Sequence, residues 1–182
     1  MTPLVSAVNQ ILSIMTIIGQ ALIVSFFILL IYKKGWLVVR NFIAKYGFFF
    51  AFIIVLVATL GSLFFSEIAG FEPCKLCWFQ RIFMYPQAIL FGIAFWKKDN
   101  AVFRYAIPLS IVGGAIAAYH YSVQVRAIVS VACEQGSAES CATNPFMNFG
   151  YISIPMMSLT AFLLLICVGI IKKVNDKNQA VV

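Results

Sequence analysis

Residues 46–66, YGFFFAFIIVLVATLGSLFFS, run without a single charge into residues 67–81, EIAGFEPCKLCWFQR. The first segment, at ~1.5 Å per residue, is long enough to cross a hydrocarbon core of ~30 Å. The second is a short polar loop that turns back into another apolar helix, with Cys74 and Cys77 at the helix mouth and Arg81 one turn further in. A thiol at a helix N-terminus beside a cation has its thiolate favoured by the helix dipole and by the charge, and two intervening residues allow an easily exchanged disulfide. A zinc knuckle would need two more ligands in the same aqueous space. An inert packing pair would leave the arginine without a reason. The segment therefore predicts a redox-active cysteine pair at the outer end of a membrane helix.

The rest of the chain agrees with a bilayer setting. Of its 182 residues 63% are hydrophobic and only 10% charged, too few polar groups to clothe a soluble globule of this size. The net charge of +7 would suggest nucleic acid in a soluble protein, but here the cations fall in short clusters between apolar runs. Residues 8–32 form a first apolar run. It reads as a retained span rather than a signal peptide, because no basic residues precede it, its apolar core is too long and no small-residue cleavage site follows. Residues 33–45 read as a linker with Lys33, Lys34, Arg40 and Lys45, its apolar residues 36–43 lying in the interface. Further spans are expected at residues 78–96, 101–125 and 152–171, with kinks at Pro86 and Pro108. The predicted fold is an all-α integral membrane protein: an extra N-terminal helix with its linker (residues 1–45), a four-helix bundle (46–173) and a tail (174–182).

Alternation of these spans puts Lys33, Lys34, Arg40, Lys45, Lys97, Lys98, Arg104, Lys172, Lys173 and Lys177 on one side and Lys75, Arg81 and Arg126 on the other. By the positive-inside rule the first group faces the cytoplasm, so the C-terminus is cytoplasmic and the CxxC is outside. The long loop at residues 126–151 is then outside too, with Cys133 and Cys141. Thiols in that compartment persist as disulfides. Two structural staples are the plain alternative, but a bridge across two residues restrains the unfolded chain little.

Arg81 lies on the same helix face as Cys77, and His120, the only histidine, reaches nearly the same depth on a neighbouring helix. An interface anchor and a packing residue are their ordinary readings. A pocket between them, walled by aromatic and aliphatic residues beside a thiolate, would suit an apolar electron acceptor with carbonyl oxygens, such as a membrane quinone. Cys167, deep in the last span, reads as a small packing hydrophobe. Phe146, Met147, Phe149 and Tyr151 read as interface anchors.

The string Pro73-Cys74-Lys75-Leu76-Cys77-Trp78-Phe79-Gln80-Arg81, with Met84-Tyr85-Pro86 behind it, resembles the signature of the disulfide-bond formation protein B family, DsbB and its shorter BdbC-type relatives. The resemblance covers residues 46–173, including the order and side of both cysteine pairs. It implies a thiol:quinone oxidoreductase of the bacterial plasma membrane that reoxidises a DsbA-like thioredoxin-fold thiol oxidase and reduces ubiquinone or menaquinone. Carried over, Cys77 is the cysteine next to the quinone and Cys74 its partner. Cys133 is the cysteine attacked by the partner protein, Cys141 its partner, and Arg81 the quinone-side arginine, with His120 a candidate beside it. The span at residues 8–32 lies outside the family pattern. Glu134 and Glu139 flank the loop pair and would disfavour thiolates there. Rival readings are a scaffold with two structural disulfides and a thiol conduit fed from the cytoplasm, which would need paired cysteines within the spans. A vitamin K epoxide reductase-like enzyme has its loop pair before the CxxC, the reverse of the order here.

Overall fold

The computed structural model describes residues 3–31, 33–97, 99, 101–126 and 147–179. Cys133, Cys141, Glu134, Glu139 and Phe146 lie outside them. Among the described residues five helices carry the fold: α1 (Pro3–Ile31), α2 (Lys33–Leu63), α3 (Lys75–Lys97), α4 (Val102–Arg126) and α5 (Ile154–Gln179). In hydrocarbon every backbone N–H and C=O needs an internal partner, and helices supply one within the segment. Among the described residues four stretches are long and apolar enough to cross a membrane: Pro3–Ile31, Gly35–Ile68, Val102–Arg126 and Ile154–Asn175. Helix α3 is long enough at 23 residues but less apolar, because it buries Gln80 and Gln87 and carries Arg81. The fold is the helical membrane architecture expected.

Two helices extend past the expected spans. Residues 33–45, expected as a linker ahead of the second span, are the first turns of α2, helical from Lys33 onward. Their apolar run is longer than the hydrocarbon core demands, and the cheapest way to satisfy its backbone is to continue the helix. The expected tail is likewise helical as far as Gln179.

Helices α2, α3, α4 and α5 form a ring in which each packs on the next, and α1 lies outside it against α2 and α5. Lipid tails are as apolar as leucine, so close packing and polar contacts hold such a bundle. Small residues make the closest approach. A side chain on Gly113 of α4 would run into the Phe162 ring of α5, and Phe162 is fully buried. Phe103 sits between Phe48 and Phe91, with ring centroids at 5.1 and 5.3 Å. Between α3 and α4, Ser110 Oγ donates to Gln87 Oε1 at 3.1 Å, while Gln87 Nε2 donates to the Phe83 carbonyl at 2.9 Å. At the cationic end Lys172, buried, donates to the Ala44 carbonyl at 2.8 Å and lies over the Phe48 ring.

The opposite end builds the site. Helix α2 runs into a single π turn, Phe64–Ile68, closed by Ala69 N donating to the Phe64 carbonyl at 3.0 Å. Gly70 follows with φ of 72°, the left-handed conformation that ends helices and that only glycine adopts without strain. Beyond the long loop, Asn148 and Ile152 exchange backbone hydrogen bonds at 3.1 and 3.0 Å around a tight turn. Met147, Phe149 and Tyr151 are exposed there.

Candidate functional site

Helix α3 begins at Lys75, and the Cys74 carbonyl accepts from Trp78 N at 3.1 Å, so Cys74 is the N-cap and Cys77 lies in the first turn. Both thiols stand where the helix dipole favours a thiolate. Their Sγ atoms are 3.3 Å apart. Cys74 is buried among Leu76, Val123 and Ile116, and Cys77 is half-buried.

The two cysteines meet different neighbours. Cys74 Sγ lies 3.6 Å from Nε2 of His120, whose Nδ1 is 2.9 Å from Gln80 Nε2. Gln80 and His120 are both buried, at 6% and 2% exposure, so this is a closed polar chain inside the bundle. In this orientation the Gln80 amide donates to Nδ1. The proton of the neutral imidazole then sits on Nε2 and points at the Cys74 sulfur, a donor that stabilises a thiolate there.

On the other face Arg81 is tied to the end of α2. Its Nε donates to Ser62 Oγ at 2.9 Å and its Nη2 to the Ser62 carbonyl at 3.0 Å. Tyr85 OH donates to the same Ser62 Oγ at 3.3 Å, and the guanidinium lies 5.3 Å from the centre of the Trp78 ring. Among the described residues Nη1 has no hydrogen-bond partner. This anchoring just before the π turn fixes the charge beside Cys77, the usual association of π turns with sites.

Cys77, Arg81 and Gln80, with polar residues such as Ser62, Tyr85 and Thr160, line a mostly apolar cavity of about 200 Å3 between α1, α2, α3 and α5. Its apolar walls come from residues such as Ile54, Val57, Met84, Met157 and Leu164. His120 is not among its lining residues. It lies behind Gln80, on the α4 side of Cys74, and so reaches the cavity through Gln80.

Sequence reasoning placed Arg81 one turn inside Cys77 and His120 at nearly the depth of Arg81; the structure puts Arg81 in the cavity wall with Cys77 and His120 against Cys74 and Gln80. Ser62, Tyr85 and the role of Gln80 were missed. Gln80 carried a signal, a polar residue one turn from Cys77 in an apolar helix. Ser62 carried none, since it lies on another helix and serine is common in spans. Cys74, Cys77 and His120 also have donor atoms within 4.8 Å of one another, a set that could hold a metal ion. The sulfurs stand closer than the ~3.8 Å that tetrahedral zinc with Zn–S near 2.3 Å would impose.

The fold and this site define a multi-pass helical membrane protein built around a redox-type cysteine pair. The chain belongs to the DsbB family: the description "Disulfide bond formation protein DsbB" matches residues 44–171, well over half of it. It is 44% identical over 120 residues to the "Probable disulfide formation protein C 1" of Bacillus cereus, covering 65% of this chain and 86% of that one. To the "SPbeta prophage-derived disulfide bond formation protein B" of Bacillus subtilis it is 44% identical over 135 residues, covering 74% and 90%. To the "Disulfide bond formation protein C" of the same species it is 41% identical over 116 residues, covering 64% and 84%. No solved structure matches the chain. Membership gives it a redox role in disulfide formation, with a thiol oxidase as the implied partner.

Proposed function

We propose that the protein is a membrane thiol:quinone oxidoreductase that reoxidises an extracytoplasmic DsbA-like thioredoxin-fold protein. The observation that carries this reading is the cavity with Cys77 and Arg81 on one rim. Its apolar walls suit a ring that partitions into lipid, and Arg81 offers a charge-assisted donor to a ring oxygen. At about 200 Å3 the space is smaller than the ~300–1,000 Å3 of pockets that enclose drug-sized ligands. It would take a quinone head group and leave an apolar tail in the opening.

A thiolate of the reduced partner attacks the Cys133–Cys141 disulfide at Cys133, forming a mixed disulfide and releasing the Cys141 thiolate. The second partner thiol resolves the mixed disulfide, and the partner leaves oxidised. Cys141 attacks the Cys74–Cys77 disulfide, and attack at Cys74 releases Cys77 as the thiolate on the cavity side. Return of the second loop thiolate to Cys141 closes the loop disulfide and leaves Cys74 and Cys77 reduced. His120 holds its Nε2 proton against Cys74 through these exchanges, and Arg81 offsets the negative charge of Cys77. A bound quinone supplies the two-electron, two-proton acceptor that returns Cys74 and Cys77 to a disulfide.

The test is oxidation of a reduced thioredoxin-fold partner by the purified protein, with and without ubiquinone or menaquinone, read by thiol alkylation at each cysteine pair. Quinone-dependent turnover that Cys77→Ala abolishes is expected. A scaffold with structural disulfides would leave the partner reduced under every condition.

A further inference from the structure

We infer that α1, which lies outside the matched residues 44–171, is a working wall of the acceptor cavity, and that Met15 at its rim sets which apolar acceptors enter. The inference rests on the quinone reading above. It begins with the face α1 turns inward. Val5, Asn9, Ser13, Thr16 and Gly19 are its buried residues, recurring every three or four positions, while Ile11, Ile14, Ile18 and Leu22 are exposed. A helix serving only as an anchor has no use for polar residues on one stripe of a lipid-soluble rod.

That stripe docks. Asn148 Nδ2 donates to Ser13 Oγ at 2.7 Å, Gln20 Nε2 to Thr160 Oγ1 at 3.3 Å, and Tyr151 OH to Gln20 Oε1 at 2.9 Å. Glycines allow the backbones to close on one another. A Cβ on Gly19 would meet Leu164 and Thr160 of α5 at 3.0 and 3.1 Å, and one on Gly61 of α2 would meet Leu12 at 3.2 Å. So seated, α1 places Leu12, Met15 and Thr16 in the same cavity wall as Cys77 and Arg81. Helix α4, inside the family-matched region, supplies none of that cavity's lining among the described residues. Thr16 is buried, whereas Met15 is 45% exposed and therefore stands where the cavity meets lipid. A flexible thioether at that position adapts to an apolar tail passing it.

The experiment uses the full-length protein in lipid nanodiscs. A photoreactive azido-ubiquinone analogue is cross-linked and its sites are mapped by mass spectrometry, with unlabelled ubiquinone as competitor. Competed labelling at residues 12–16 is expected. Labelling confined to α2, α3 and α5 would overturn the proposal. In parallel, partner oxidation and thermal unfolding are titrated with a long-tailed and a tail-less quinone for wild type, Met15→Trp, the lipid-facing Ile18→Trp and Arg81→Ala. Met15→Trp should require about tenfold more of the long-tailed quinone, with a smaller change for the tail-less one, and Ile18→Trp should match wild type. Wild-type curves for Met15→Trp beside a defective Arg81→Ala would remove α1 from the site and leave the quinone reading standing. Wild-type curves for Arg81→Ala as well would take down the quinone reading, and this inference with it.

Discussion

Arg81 carries two kinds of bond, and they separate in mutants. Its contacts to Ser62 hold α3 to the end of α2, while its charge lines the same cavity as Cys77, where the proposed chemistry would use it. A charge-assisted hydrogen bond is worth ~1.5–3 kcal/mol, or roughly ten- to over a hundredfold in affinity or rate. Arg81→Ala should therefore raise the quinone concentration needed for partner oxidation by that factor. Arg81→Lys should recover part of the loss, since it keeps the charge but not the planar fork. Identical quinone titrations for the three proteins would reduce Arg81 to an anchor. The Gln80–His120 pair predicts a different phenotype. Gln80→Leu removes the donor that sets the His120 tautomer. The rate of alkylation of reduced Cys74 at constant pH should fall by roughly fivefold, the effect of about 1 kcal/mol of hydrogen bonding; an unchanged rate would make Gln80 a packing residue. For the loop pair, Cys141→Ala leaves a lone Cys133 thiol, whose attack on the disulfide of the oxidised partner should hold that partner as a mixed disulfide, visible on non-reducing gels, because Cys141 is no longer there to displace it. Trapping through Cys141 in Cys133→Ala alone would reverse the two roles.

At the scale of the helices, α4 and α5 are held by the fit of Phe162 against Gly113 and Gly114. No alanine-sized space exists at Gly113, so Gly113→Val must push the Phe162 ring or the α5 backbone aside. The cost of such overpacking is ~1–3 kcal/mol, which should appear as a lower unfolding midpoint in detergent. Phe162→Leu combined with Gly113→Val should regain part of it, because the smaller side chain vacates the volume the valine takes. A double variant as unstable as the sum of the two singles would argue against this contact. The π turn ending α2 belongs to the same scale. It delivers Ser62 to Arg81 and leads the chain through Gly70 toward the N-cap at Cys74, so a helix end and a helix start share one polar anchor.

For the whole molecule, the helices set the CxxC, the π turn and the turn at residues 148–152 at one end, and Lys172 with the start of α2 at the other. By the positive-inside rule the cation distribution is expected to orient that assembly. A reporter fused after Lys173 and one inserted near Lys98 should both report cytoplasm, and one at Ser137 should report the outside. A Ser137 reporter found inside would undo the assignment of both cysteine pairs to an oxidising compartment.

The sequence by itself determined the helical membrane class, the five helices among the described residues and the pairing of Cys77 with Arg81 on one helix face of the candidate site. Each rests on local rules: apolar length, cation clusters, and the i to i+4 spacing that puts Cys77 and Arg81 on one face. Helix ends were less legible, as residues 33–45 show, because an apolar stretch continues as helix once the backbone must satisfy itself. Only the tertiary structure decided that Gln80 stands between His120 and the cavity, that Ser62 holds Arg81, and that α1 closes the cavity wall. These are contacts between residues 19 to more than 130 positions apart in the chain. Spacing along one helix says which residues share a face, but which face meets which neighbour depends on how small residues such as Gly19, Gly61 and Gly113 let the helices approach.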